Sequence, residues 1–496
     1  MPILIIFSLI LVITLLLRVV PIMLSKGSSG ADHWFWKAYI EKYAQEKKFP
    51  PDLPQYMLDL KQWYPPIFPL IMIRLPKLIL NKYGYYIPIF IDLVRVFLLL
   101  SILSLLSKGN KSAILTSGII YATTPILVSY NMQLNPRGLG ALFLDCVIIL
   151  VAGLYIFECS TWIWFIILIF SGLILLTHKM TTQLFWIICI FLGFYFHDWK
   201  LFMIIPGSVL SALLLSRGFY WKVLQAHFDI VSFWNRNWKW LQANPVKESP
   251  IYGDFNYDTQ TKFYKRGAKG FLRHLSYFFG YSPALWITIV AVIPVVLLKM
   301  LETDSLISFA YAILSLTVVF AVCTVFVPFL KCLGAGYYYL YNTALLLAFL
   351  WGSIIMQNQK NPLAWLACFI CLGFNLISLF LFYTKIEGEG RKDVNLDKMI
   401  AFIRTLPYGP IICLPPQWYD AVAYKTSYPV LFGGHGYGFK LLEPTFPRIL
   451  EPINTLVNRY GVKYILTLEG YLTEKFLHDI KYFKIESIGK CRLFVL

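Results

Sequence analysis

Charge is what this chain of 496 residues has least of: Asp, Glu, Lys and Arg together make up 14%. A soluble body of that length keeps about a quarter of its residues charged, so a single soluble globule is excluded. Acid is the scarcer sign, with 26 Asp and Glu against 44 Lys and Arg and a net charge of +18. No nucleic-acid module accompanies the excess, so no nucleic-acid partner is expected; in a membrane such charge suits anionic lipid and phosphate. The cluster Gly433-Gly434-His435-Gly436-Tyr437-Gly438 lacks both the Gly-Lys-Ser/Thr ending of a P-loop and the dinucleotide spacing, and reads as a loop. Nor is there a clear internal repeat, the usual mark of a transporter.

What is abundant is apolar sequence: 58% of residues are hydrophobic and the mean hydropathy is +0.64. The apolar residues fall into runs between short polar breaks, most of them long enough for a hydrocarbon core of about 30 Å. The runs lie near 2–24, 86–106, 113–130, 138–157, 161–177, 183–197, 201–215, 283–300, 306–328, 336–356 and 363–383. They predict a polytopic α-helical membrane protein with about eleven transmembrane helices. The first, from Pro2 to Leu24, is too long for the core of a signal peptide and reads as a retained anchor. Residues 67–80 are apolar but short, and Arg74 and Lys77 interrupt them, so an interfacial or re-entrant helix is expected. Six cysteines (Cys146, Cys159, Cys189, Cys323, Cys368 and Cys371) fall in apolar runs, where they act as small hydrophobes.

With the N-terminus inside, residues 25–85, 216–282 and 384–496 lie outside. Lys108, Lys111, Lys200, Lys299 and Lys360 then fill the inner loops, a weak positive-inside bias. Residues 1–383 form the membrane domain, with outer loops at 25–85 and 216–282. Residues 384–496 form a small C-terminal extracytoplasmic α/β domain. It begins with a charged linker at 385–392 and an amphipathic helix at 395–405, and its strands are Pro410–Leu414 and Lys463–Leu468. The loop 217–282 mixes aromatics with Arg and Lys (Phe233, Trp234, Arg236, Trp238, Lys239, Trp240), which predicts a helix lying on the membrane surface.

The chemistry-bearing residues gather at the outer span ends. Asp32, in Ser29-Gly30-Ala31-Asp32-His33-Trp34, sits just past the first span, where a lipid-borne substrate meets a polar one. The same spacing also fits a capping box with an acid in the first helical turn. Arg137, Lys179 and Lys331 stand at outer span ends, where cations grip phosphate or simply snorkel to headgroups. His178-Lys179 lies in a polar corner, Leu176-Thr177-His178-Lys179-Met180-Thr181, richer than a lipid anchor needs. Tyr337, Tyr338 and Tyr339 read as a groove lining or an aromatic belt. Asp254 and Asp258 read as solvated charges. Asp92, Arg95 and Asp145 lie well inside spans, the first two spaced to pair across one helical turn.

The order of these elements resembles the GT-C superfamily of membrane glycosyltransferases. The shared layout is a first span, an early outer-loop acid (Asp32-His33) and a Pro-Pro-hydrophobic turn (Tyr64-Pro65-Pro66-Ile67-Phe68). Pro125 within a span, Asn135-Pro136-Arg137-Gly138-Leu139-Gly140 opening another, and the C-terminal soluble domain complete it. Protein O-mannosyltransferases and lipid A aminoarabinose transferases are similar in outline, and no motif selects between them. The resemblance implies a multi-pass protein of a bacterial or archaeal plasma membrane. It also implies inverting transfer of a sugar from a polyprenyl-phosphate donor to a lipid, glycan or protein acceptor. Asp32 would be the general base, with His33, Tyr64, Arg137, His178, Lys179, Lys331 and Tyr337 binding substrate. Where the family often carries Asp-x-Asp or Glu-x-Asp, Trp34 stands here, so a divalent cation would rely on His33 beside Asp32. The alternatives are a membrane transporter or lipid or sugar flippase, and a non-catalytic GT-C-like scaffold of polysaccharide assembly.

Overall fold

Hydrocarbon offers no water to backbone N–H and C=O groups, so apolar runs satisfy them internally as helices. The computed structural model describes every residue except 1, 26–30, 59–60, 62, 77–79, 81–82, 254–266, 298–304 and 432–438. Ser29, Lys77, Asp254, Asp258, Lys299 and the glycine loop with His435 therefore lie outside the described residues.

The chain opens with α1 (Ile3–Leu24), α2 (Ala31–Glu46), α3 (Ile67–Met72), α4 (Ile87–Leu106), α5 (Lys111–Thr123), α6 (Pro125–Asn131), α7 (Arg137–Tyr155) and α8 (Ile163–Leu175). It continues with α9 (Lys179–Tyr195), α10 (Trp199–Leu215), α11 (Tyr220–Asn237), α12 (Gly267–Tyr281), α13 (Pro283–Leu297), α14 (Ser305–Phe326), α15 (Ala344–Gln357) and α16 (Pro362–Ile403). Six described helical stretches are long and apolar enough to cross a membrane, and the bent pair α5–α6 makes a seventh. Helices α8, α9 and α10 are apolar but shorter. The expectation of about eleven crossings counts these three and α13 as well. Helix α3 covers six residues, too short to cross.

Inside the bundle, charges are paired between helices. Arg18 of α1 donates from Nε to Asp92 of α4 at 2.9 Å, and Arg95 donates from Nε to Asp145 of α7 at 2.7 Å. All four side chains are at most 1% exposed, so an unpartnered charge there would be very costly. Asp92 and Arg95 thus do not pair with each other along their own helix, because each has a buried partner on a neighbour.

The Arg18 pair also stabilises a helix break. Pro125 has no N–H and drives Thr124 into an extended conformation (φ −64, ψ 114), so α5 and α6 meet at 51°. The break frees carbonyls in the last turn of α5. The Arg18 guanidinium takes up Ala122 O at 2.6 Å and Tyr121 O at 3.4 Å, while the Tyr121 hydroxyl donates to Asp92 at 2.7 Å. One buried cation thereby satisfies a broken helix and a carboxylate together.

Beyond the bundle, a second apolar core joins α2, residues 49–68, part of the 217–253 loop and the C-terminal domain. Its sheet has the order β1 (Ile411–Leu414), β2 (Tyr464–Leu468), β4 (Cys491–Val495), β3 (Lys484–Ile488), with β1 and β2 parallel and the rest antiparallel. Strand β2 lies between Cys413 and Cys491, and both thiols are free. Residues 55–58 of the first loop hydrogen-bond to Val430 and Leu431, and the Tyr56 hydroxyl donates to Asp420 at 2.8 Å. Ser249 of the second loop donates to Ile449 O at 2.6 Å. Both loops and the domain therefore form one cap at the same end of the bundle. Where the sequence suggested a linker at 385–392, α16 runs unbroken through 42 residues, roughly 63 Å, from the bundle into the cap.

Replacing Asp92 with Asn strands the Arg18 guanidinium. The expected loss is about 3–5 kcal/mol, read as a lowered unfolding midpoint of the detergent-solubilised protein. The double change Arg18→Leu with Asp92→Leu should lose less than Asp92→Asn alone.

Candidate active site

Asp32 occupies the first turn of α2, where the helix dipole favours a carboxylate, and is half-buried. One turn on, Trp36 is buried edge-on against Tyr64 (centroids 4.7 Å) and Phe68 (5.3 Å). That packing holds the Tyr-Pro-Pro turn beneath Asp32. Tyr64 is buried, and burial, with the Asp32 charge adding to it and Arg137 opposing, holds its phenol protonated well above the usual range.

The same turn reaches the His178-Lys179 corner. Ile67 N donates to Leu176 O at 3.0 Å, and the Lys179 ammonium lies over the Tyr64 ring at 5.0 Å. His178 has a structural task here. It is the N-cap of α9, its Nδ1 meeting Thr181 Oγ1 at 3.0 Å and accepting from Thr181 N at 3.4 Å. Helix α7 packs directly on this corner because residue 140 is Gly. A Cβ there would stand 3.0 Å from both His178 Cβ and Thr181 Oγ1.

That approach delivers Arg137, the first residue of α7. Asn135 shapes the turn before it, donating to Tyr130 O (2.7 Å) and Gln133 O (2.8 Å) and accepting from Arg137 N (2.9 Å). The guanidinium lies over Tyr130 (4.1 Å) and Tyr338 (5.1 Å). Its Nε and Nη1 are buried with no hydrogen-bond partner among the described residues. Asp32 is near enough for its charge to act on Arg137. A buried guanidinium with donors to spare, at a helix N-terminus, is suited to an anion.

Tyr337 forms a second layer of this aromatic wall, against Tyr338 (4.5 Å) and stacked on Tyr281 of α12 (5.1 Å). Gly336 permits it: a Cβ there would fall 1.8 Å from Ala321 O. Lys331 stands in a different place, over the Trp238 ring at 4.2 Å, and partial burial lowers its pKa. The structure thus gathers Asp32, Tyr64, Arg137, His178 and Lys179, with Tyr337 behind them, and places the Lys331 ammonium over Trp238 instead.

His33 turns to another neighbour. Its ring is fully buried and stacks flat on Tyr85 (3.7 Å, 8°), with both nitrogens lacking hydrogen-bond partners among the described residues. The charges of Lys37 and Lys425 act on it, which opposes a divalent cation. No group of three His, Cys, Asp or Glu side chains able to hold a metal occurs among the described residues. Among the described residues, then, the surroundings of His33 give a divalent cation no second and third ligand.

Sequence patterns did not single out Tyr130, Tyr281, Gln183 or His227. Gln183 of α9 accepts from the Tyr339 hydroxyl at 2.6 Å, which leaves its amide nitrogen to donate to His227 Nε2 at 2.9 Å. This bond fastens α11 beside Lys179. A polar residue four positions along α9 from Lys179 was the available signal.

Burial, then Lys37 and Lys425, lowers the His33 pKa from 6.5 to about 2; burial, then Lys179, lowers that of His227 to about 3. Both rings stay neutral in the fold and are protonated on unfolding below pH 6.5. The stability carried by that difference is whole above pH 6.5 and is lost as pH falls toward 3 and 2, by up to about 1.4 kcal/mol per unit for each ring. The unfolding midpoint should therefore drop between about pH 7 and about pH 5. His33→Phe, which keeps the stack on Tyr85, should flatten the slope; thermal unfolding across pH reads both.

No family model matches the sequence, and no curated protein matches it. Solved structures do. An oligosaccharyltransferase from Archaeoglobus fulgidus, in its apo form, superposes with a TM-score of 0.61 at 11% identity, covering 97% of this chain and 73% of that one. The enzyme AglB from the same organism, solved with an inhibitory peptide and a dolichol-phosphate, gives 0.53 at 11% identity over 93% of this chain and 69% of that one. ArnT from Cupriavidus metallidurans, bound to undecaprenyl phosphate, gives 0.52 at 9% identity over 99% and 97%. At such identities the likeness is one of fold alone, and it extends over nearly the whole length of the chain: it shares the fold of these oligosaccharyltransferase and ArnT structures.

Proposed function

We propose that this protein is an inverting glycosyltransferase that moves a sugar from a polyprenyl-phosphate-linked donor to a hydroxyl acceptor at the capped face of the membrane, using about eleven crossings. The observation that carries the reading is the nearness of Asp32 to Arg137, whose buried Nε and Nη1 have no hydrogen-bond partner among the described residues. The polyprenyl phosphates bound to two structural neighbours give those donors a natural anion.

Asp32 takes the proton of the acceptor hydroxyl as its oxygen bonds to the anomeric carbon from the face opposite the phosphate. The bond from that carbon to the phosphate oxygen breaks, and the electron pair stays on the phosphate. Arg137 meets this growing charge, with the Lys179 ammonium adding to the field. Tyr64, kept protonated and lying under the Lys179 ammonium, supplies a hydroxyl proton to the substrate. Trp36, Asn135 and His178 hold the reacting groups in place without touching the chemistry.

Membranes carrying the Asp32→Asn protein are expected to lose transfer from polyprenyl-phosphate sugars while still binding the lipid. Wild-type-like transfer would remove the proposed base. Arg137→Met should cost about 10²–10³ in kcat, and Lys331→Met much less, since the Lys331 ammonium lies over the Trp238 ring. Rates measured with a series of polyprenyl-phosphate sugars separate these outcomes.

A further inference from the structure

Helix α12 shows three faces. At 3.6 residues per turn, Gly270, His274 and Phe278 share one side with Tyr277 and Tyr281, and this side packs on the protein. A second side carries Ala268, Phe271, Leu272, Leu275 and Phe279; Phe271, Leu272 and Phe279 are 52%, 61% and 46% exposed. The third carries Lys269 and Arg273, and the helix has no Asp or Glu. A helix that only covered protein would not spend a third of its circumference on exposed aromatic and aliphatic side chains.

The position of α12 says what covers that side. Phe271 and His274 meet Phe326, the last residue of the apolar helix α14, and Ser282 alone separates α12 from the apolar helix α13. The helix therefore lies level with the ends of the apolar helices, where acyl chains give way to headgroups. Helix α11 also leaves Trp221 and Phe228 exposed on one side, with Lys222 beside them.

We infer that α12 is a docking surface for an anionic phospholipid leaflet, with Phe271, Leu272 and Phe279 in the acyl layer and Lys269 and Arg273 on headgroup phosphates. An apolar stripe beside a purely cationic one is the pattern that binds such a surface. The packed side gives the contact a consequence. Tyr281 and Tyr277 stack against Tyr337, which touches Tyr338 over Arg137, so leaflet charge acts on the wall of the candidate active site.

The test uses the full chain in nanodiscs of phosphatidylcholine, with or without phosphatidylglycerol, and hydrogen exchange of residues 267–281 as its readout. Phosphatidylglycerol should slow exchange in this helix by up to about thirtyfold at low salt, the combined effect of two basic groups at an anionic surface. Molar salt should remove the increment in the unaltered protein. Lys269→Gln with Arg273→Gln should remove it too, while the protection seen in phosphatidylcholine alone remains. Equal exchange in the two lipids, or an increment that survives both salt and substitution, overturns the inference. Because the readout is not sugar transfer, its failure leaves the proposed activity untouched.

Discussion

A charge left alone among apolar helices costs several kcal/mol or more, and the architecture follows from how this chain avoids that cost. Among the described residues, four charges lie deep in the bundle, sorted into Arg18 with Asp92 and Arg95 with Asp145. Each pair joins two helices, so α1, α4 and α7 cannot shift past one another without exposing an ion to hydrocarbon. The first pair extends further, since the arginine also donates to the carbonyls released where α5 breaks before Pro125. A break that would otherwise strand backbone groups becomes a fixed bend, and the bend aims α6 at the cap. Tyr130, near the end of α6, thus reaches the guanidinium of Arg137.

The cap depends on that placement in turn. Loop segments around Tyr56 and Ser249 hydrogen-bond to the C-terminal domain, and α16 carries the same domain up from the bundle as one rod. The Pro-Pro turn is held on both sides, by Trp36 from the cap and by the Leu176 carbonyl from the bundle. Asp32 belongs to the first body and Arg137 to the second. Their meeting requires both bodies in register, which explains why so few polar residues suffice to define the site.

How much of this could be read from the sequence differs by feature. The apolar runs predict their helices because lipid permits little else, and the strands at 411–414 and 464–468 are visible as short apolar runs. The hairpin β3–β4 escapes notice because Lys484–Ile488 is mostly exposed and polar. Charged residues at 385–392 read as a linker, yet a helix already propagating from the membrane adds each residue cheaply. Among site residues, Asp32, Arg137 and Lys179 stand out as ions at span ends. Their grouping depends on Gly140 and on the Ile67 to Leu176 bond, contacts between segments far apart in the chain. Lys331 looks the same in sequence, and only the partner ring, Trp238 rather than Tyr64, separates it from Lys179. Arg18 escapes the sequence reading although it is a cation inside the first apolar run, and its pairing with Asp92 depends on a contact between segments far apart in the chain.

The contrast between Arg18 and Arg137 explains which arginine is equipped for chemistry. Arg18 faces a carboxylate and two carbonyls, so its charge and donors are committed to the fold. Arg137 is held chiefly by the faces of Tyr130 and Tyr338, contacts worth about 0.5–2 kcal/mol each. A π face steadies a guanidinium without occupying its N–H groups, which stay available in the ring plane. Aromatic support therefore holds the cation in place before an anion arrives and leaves Nε and Nη1 to receive it. A carboxylate in the place of either ring would neutralise the charge and compete with phosphate for the same donors. The tyrosines around Arg137 are in this sense part of the electrostatics of the site, and the apolar belt they resemble in sequence is only their outer edge.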